Sequence, residues 1–176
     1  PIPYNASSQK IKVAIRKHKV DTVVFCNPNN PTGFYRDDIE LLASEFIDVN
    51  FVVDVSFMDF VGEKIPNLPK GKNIVLIKSL GKTYGLCGAR LGYIASENKE
   101  LIEAIKKKIP IWNVNSIVEA VIDIISSQKE EYEESRKKII QGTKKMYEFL
   151  KTFDSLSVYP TKANFVMVKS KKPLNF

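Results

Sequence analysis

Lys78-Ser79-Leu80-Gly81-Lys82-Thr83-Tyr84-Gly85-Leu86-Cys87-Gly88-Ala89-Arg90-Leu91-Gly92-Tyr93 places a lysine among glycines, with a serine three residues before it and an arginine eight residues after it. The flanking runs, Ile74 to Ser79 and Arg90 to Ala95, read as strands, so Lys82 falls in the loop between them. Such a loop can offer an amine for Schiff-base chemistry, with a hydroxyl and a guanidinium beside it to hold a phosphate.

Two upstream motifs extend this set. Asn27-Pro28-Asn29-Asn30-Pro31-Thr32-Gly33 follows the apolar run Asp21 to Cys26, and Asp54-Val55-Ser56-Phe57 follows Phe51-Val52-Val53. Each puts polar groups just past the carboxyl end of a buried strand, where open α/β sheets bind their ligands. An amine with a phosphate-holding pair beside it is what an enzyme using pyridoxal phosphate needs, and the two upstream motifs turn it into a constellation. Singly, each residue has a plainer reading. Lys82 is one of many solvated lysines, Asn30 belongs to a turn, Asp54 caps the next segment and Arg90 joins a surface ion pair. Their order makes the joint reading the stronger one.

The three motifs closely resemble the class I/II aminotransferases of pyridoxal-phosphate fold type I, nearest the branch of histidinol-phosphate aminotransferases and threonine-phosphate decarboxylases. The resemblance is specific from about Val20 to Tyr93 and weaker beyond. It implies that Lys82 forms the internal aldimine with pyridoxal 5'-phosphate and becomes the general base once substrate displaces it. It also implies that Asn30 bonds the ring's phenolic oxygen, that Asp54 pairs with the pyridine nitrogen, and that Ser79 and Arg90 hold the phosphate. Phe57 stands where a tyrosine often bonds the same phenolic oxygen, so the packing is kept and a hydroxyl is lost. Gly81 stands where Ser or Thr often assists with phosphate, and offers only its backbone N–H.

Transamination between a small-molecule amino donor and a keto acid acceptor leads the readings. Threonine-phosphate-type decarboxylation, motivated by Phe57 and Asp59-Phe60, follows. A noncatalytic cofactor-binding or assembly piece is the alternative from another class.

The resemblance implies a three-layer α/β/α sandwich with a mostly parallel sheet. Residues 1–128 would form part of the large cofactor-binding domain, and 129–176 a linking helix with part of a small α+β domain. Helices are expected over Ile11–His18, from Asp37 with Ile39, Leu41, Leu42 and Phe46 inward, from Ser96 to Lys108, on the face Ile117, Val118, Val121, Ile124 and Ile125, and over Tyr132–Leu150. Strands are expected over Asp21–Cys26, Phe51–Val55, Ile74–Ser79, Arg90–Ala95, Leu156–Tyr159 and Asn164–Val168, the fourth antiparallel by resemblance. Pro110-Ile111-Trp112-Asn113-Val114-Asn115 reads either as a loop near the active site or as a capped helix start with Trp112 packed beneath.

Members of the family are about twice as long as these 176 residues, and the first motif arrives by residue 27. The chain is therefore read as the middle of a longer protein. The missing parts would carry the ring-stacking aromatic, a helix N-terminus for the phosphate and the arginine that grips the substrate carboxylate.

A hydrophobic share of 44% with no membrane-length apolar run suits a soluble, cytoplasmic domain, and the resemblance implies a homodimer. The net charge of +7 invites nucleic acid, but the lysines alternate with Glu130-Glu131 and Glu133-Glu134 as on solvated helix faces, and no nucleic-acid module appears. Cys26 and Cys87 lack metal spacing and are expected to stay unpaired. His18 reads as a solvated helix end.

Overall fold

The computed structural model describes residues 3–173. Residues 1–2 and 174–176, on which part of the reading of the chain's ends falls, lie outside the described residues. Four strands form the main sheet: β1 (Thr22–Cys26), β2 (Asn50–Asp54), β3 (Ile74–Ser79) and β4 (Gly92–Ser96), in that spatial order. The first three are parallel and β4 runs antiparallel to β3. Parallel strands are covered on both faces and so read as unbroken apolar runs. β2, the second strand of the sheet, is the most deeply buried, with Phe51, Val53 and the following Val55 all at 0% exposure.

Helices α1 (Ser8–His18) and α2 (Ile39–Glu45) cover this core with Ile11, Ile15, Ile39, Leu42 and Ala43. α1 begins where the Ser7 hydroxyl accepts the Lys10 N–H. It ends at Lys19, held in the left-handed region with its N–H on the Ile15 carbonyl. α2 starts two residues later than Asp37 and turns Leu41 to solvent, since a seven-residue helix can bury only one narrow stripe.

α3 (Lys99–Lys106) packs on β4 and is capped by Asn98, whose side-chain oxygen accepts the Leu101 N–H at 3.0 Å. α4 (Ser116–Ser127) is capped in the same way by Asn115, at 3.0 Å from the Val118 nitrogen. The five-residue apolar face expected on α4 is partly covered: Val118 is buried and Val121 and Ile125 are half-buried, while Ile117 and Ile124 stand 71% and 60% exposed. Trp112, expected to pack beneath the helix start, is 92% exposed.

The long α5 (Lys129–Lys151) leads to a two-stranded antiparallel ribbon of β5 (Leu156–Val158) and β6 (Val168–Ser170). The last strand was expected four residues earlier, over Asn164–Val168. Instead, the segment before it turns inward. Ala163 is buried, and Phe165 packs edge-on to Phe57 with ring centroids 5.1 Å apart. Side chains anchored to that cluster cannot also alternate along a strand. Among the described residues no helix is long and apolar enough to cross a membrane.

The inward segment also explains Gly33. Its φ is +71°, and a Cβ there would lie 1.9 Å from Thr161 Oγ1, while the Lys162 N–H donates to the Gly33 carbonyl at 2.8 Å. Gly33→Ala is expected to cost about 2 kcal/mol from backbone strain and overpacking. Thr161→Gly in the same chain should recover part of it. Thermal melts of the single and double variants check both.

Candidate active site

The parallel register aligns the strand ends that carry the chemistry. Cys26 at the end of β1 pairs with Asp54 at the end of β2, and Asp54 pairs with Ile77 of β3. β3 then runs through Lys78 and Ser79 into the lysine loop. The loop returns through Arg90 to β4, where Gly92 pairs with Ser79.

Around these ends lies a cavity of ≈ 630 Å³, lined by Asp54, Ser79, Lys82 and Arg90 among others. Four of the six residues picked out in the sequence thus share one cavity. Phe57 lies beneath rather than on its wall: it is buried, and the Lys82 ammonium stands 5.0 Å from its ring centroid.

Asn30 sits apart from that lining, exposed on the turn after β1. The turn itself is firmly held. Buried Asn27 donates its side-chain amide to the Arg36 carbonyl and accepts the Arg36 N–H, both at 2.8 Å. Gly33 N–H donates to the Asn29 carbonyl at 2.7 Å.

Reading the sequence missed Ser56, although it stands two residues after Asp54. It is 2% exposed and lines the cavity. Its N–H donates to Asp54 Oδ1 and its Oγ accepts the Ser79 N–H, each at 2.9 Å. One serine therefore fixes the carboxylate and the start of the lysine loop together. Cys26 was also missed as a neighbour of the site. Burial pushes its thiol up from the ordinary range, against a hydrogen bond from the Asn30 backbone that lowers it. The Asp54 carboxylate adds to the rise and the Lys82 charge opposes it. It is a protonated thiol touching the field of both groups.

The absence of a side chain at Gly81 has a local cause: a Cβ there would sit 3.0 Å from Cys87 Cα and 3.3 Å from the Leu86 carbonyl oxygen. The loop folds over Gly81, so the Ser or Thr often found at this place in the family would need Cys87 to give by a few tenths of an ångström. Arg90 is held at φ 57°, and its guanidinium donates to the Cys87 carbonyl at 3.2 Å. A non-glycine residue kept in this region costs about 1 kcal/mol or more, and such strain clusters at binding sites.

Three lysines line the cavity, and they are not equivalent. Lys78 is paired with Asp59 at 2.7 Å and Lys106 with Glu103 at 2.8 Å. Among the described residues Lys82 forms no ion pair, which leaves its amine available to a ligand. An available amine, an oriented carboxylate, a serine hydroxyl and a guanidinium on one wall match the functional groups of a phosphorylated pyridine aldehyde.

The family comparison agrees. The chain matches the aminotransferase class I and II family across residues 3–175. It belongs to that family. Its cofactor is pyridoxal 5'-phosphate, and the sheet and its flanking helices are the family's fold type I architecture.

The histidinol-phosphate aminotransferase of Clostridium novyi is 32% identical over 167 residues, which is 94% of this chain and 47% of that protein. The L-serine phosphate decarboxylase of Sulfurospirillum multivorans is 32% identical over 179 residues, 94% of this chain and 45% of that protein. A decarboxylase from the same organism superposes with a TM-score of 0.84 at 30% identity, over 97% of this chain and 52% of the other. The chain thus spans about half the length of these relatives.

Proposed function

We propose that the protein is a pyridoxal-phosphate-dependent aminotransferase acting on an amino acid or a phosphorylated amino compound, with Lys82 as its catalytic amine. The observation that carries this reading is the gathering of Lys82, Asp54, Ser79 and Arg90 on one cavity. The cofactor supplies an electron sink for a carbanion at the substrate α-carbon.

The chain's own residues do the rest. Asp54, with one oxygen fixed by the Ser56 N–H, holds a proton at the ring nitrogen. Ser79 and Arg90 hold the phosphate, helped by backbone N–H groups of the loop at Gly81. Asn30, on the turn after β1 and outside the cavity lining, is assigned to the phenolic oxygen by the family resemblance alone. Lys82 would take the proton from the substrate α-carbon and, for transamination, deliver it to the carbon that was the cofactor's aldehyde. Phe57 keeps the lysine stem packed but offers no hydroxyl.

Residues 1–128 belong in this reading to the cofactor-binding domain and 129–176 to the linking helix and part of the small domain. The enzyme works as a cytoplasmic homodimer. The exposed apolar groups Ile111, Trp112 and Ile117 around the start of α4 support a surface covered in the assembled protein.

The second reading, decarboxylation of a phosphorylated amino acid, is favoured by Phe57 and by the serine phosphate decarboxylase among the relatives. Asp59 gives it no support. Its carboxylate is committed to Lys78 and Thr83 and does not line the cavity.

The test is to incubate the protein with pyridoxal phosphate, reduce with borohydride and map the adduct, then assay amino donors and phosphorylated amino acids for keto acid and carbon dioxide. A phosphopyridoxyl group on Lys82 with keto-acid product is the expected result. Carbon dioxide in its place selects the second reading, and full labelling with neither product sinks both.

A further inference from the structure

We propose that Asp59 is a positioning residue for Lys82, acting through the hydroxyl of Thr83, and that it links the seat of α5 to the active amine. The proposal rests on the reading of Lys82 given above.

Asp59 lies in the single turn Met58–Phe60 that follows β2, and its side chain is 3% exposed. One carboxylate oxygen accepts from Thr83 Oγ1 at 2.8 Å and from the Lys78 ammonium at 2.7 Å. The other accepts from Lys78 at 2.8 Å. The buried carboxylate is thus neutralised by one lysine, and the threonine hydroxyl fixes where its own loop stands.

Thr83 is the residue next to Lys82 and is 7% exposed. Beyond it the loop is sparsely packed: at Gly85 and at Gly88 nothing lies within 4 Å of where a Cβ would be. The downstream loop touches back at Gly81, on the amino side of Lys82, where Cys87 Sγ donates to the Gly81 carbonyl at 3.4 Å; on the carboxyl side the hold falls on buried Thr83 and its neighbour Tyr84.

Both residues connect to α5. The main-chain carbonyl of Asp59 accepts from the Arg136 guanidinium at 3.0 Å, and the Tyr84 ring lies 4.8 Å from that of Tyr132, one turn before Arg136. Burial, with the Asp59 carboxylate adding to it, pushes both phenols up, so each meets the cluster as a neutral ring. A change in the seat of α5 moves the Asp59 turn and the Tyr84 ring together, and the residue between them and the amine is Thr83. Small displacements of a reacting group carry large rate penalties, which gives this hydrogen bond leverage on chemistry it does not touch.

The test uses the whole chain at saturating pyridoxal phosphate. Capture on Lys82 is followed in time by borohydride trapping and peptide mapping, with the melting temperature measured alongside. Thr83→Val keeps the shape and removes the donor, and Lys78 still neutralises Asp59. The lost bond to a buried carboxylate lowers the melting temperature, so capture is compared where every variant is folded; there it is expected to slow roughly tenfold, while Thr83→Ser, which restores the hydroxyl, stays within about twofold of the parent. Should the valine variant not fold, Thr83→Ala against Thr83→Ser gives the same comparison.

Equal rates for hydroxyl-bearing and hydroxyl-free variants overturn the proposal. So does a slowing that serine fails to rescue. Absence of label from Lys82 in the parent instead overturns the reading of Lys82 itself, so the two failures are told apart.

Discussion

Lys82→Ala is expected to lower turnover by about 10⁴-fold, because the proposed function gives the residue two tasks, covalent anchor and general base. The fold should barely notice. Lys82 is exposed, and its contact with Phe57 is a cation placed 5.0 Å from a ring centroid, worth about 0.5–1 kcal/mol at an open site. Steady-state kinetics should show the loss in kcat rather than KM, since the carboxylate and phosphate-holding groups are untouched. Small primary amines added to the alanine variant should restore part of the rate in proportion to their concentration. Retained turnover would point instead to Lys78, the most buried of the three lysines on the cavity. That outcome requires Lys78 to leave its 2.7 Å pairing with Asp59 and strand a buried carboxylate, which is the physical reason Lys82 is preferred.

What the sequence made legible follows from what each pattern obeys. β1, β2 and β3 were found because parallel strands are apolar on both faces, and the residues just past them were found because ligands collect at those ends. Lys82 stood out by its glycine setting and Asp54 by its place after Phe51-Val52-Val53. Ser56 was passed over since a buried serine whose N–H holds a carboxylate and whose hydroxyl accepts a distant N–H has no periodic signature.

Ile117 and Ile124 show a limit of another kind. Their spacing is correct for a buried helix face, but spacing says only that a surface is apolar and not what covers it. The strand expected over Asn164–Val168 failed because Ala163 and Phe165 are drawn to Phe57, a contact between distant segments that local alternation cannot encode.

Arg136 was the deepest omission. In Glu133-Glu134-Ser135-Arg136-Lys137-Lys138 it reads as one more solvated charge, yet it is 2% exposed. Its guanidinium donates to the carbonyls of Asp59, Gly62 and Glu63 and to the Glu133 carboxylate. The planar fork suits this task, since five fixed donors can close a turn whose carbonyls have no helix or strand to satisfy them.

Arg136→Met is therefore expected to destabilise the protein by about 4 kcal/mol. Methionine fills the space but leaves three carbonyls without a donor, each costing about 1–3 kcal/mol unless water reaches it. The Glu133 pair contributes little to the figure, because that carboxylate is 42% exposed. Arg136→Lys should recover only a minor share, as a single ammonium cannot span all three acceptors. Urea unfolding checks this as a shift of midpoint at constant slope. The same variant should slow capture of pyridoxal phosphate on Lys82 under conditions where it remains folded, for the Asp59 turn and the Tyr84 ring both lose their reference to α5. A destabilised variant with an unaltered capture rate would confine Arg136 to stability and leave Thr83 to act alone.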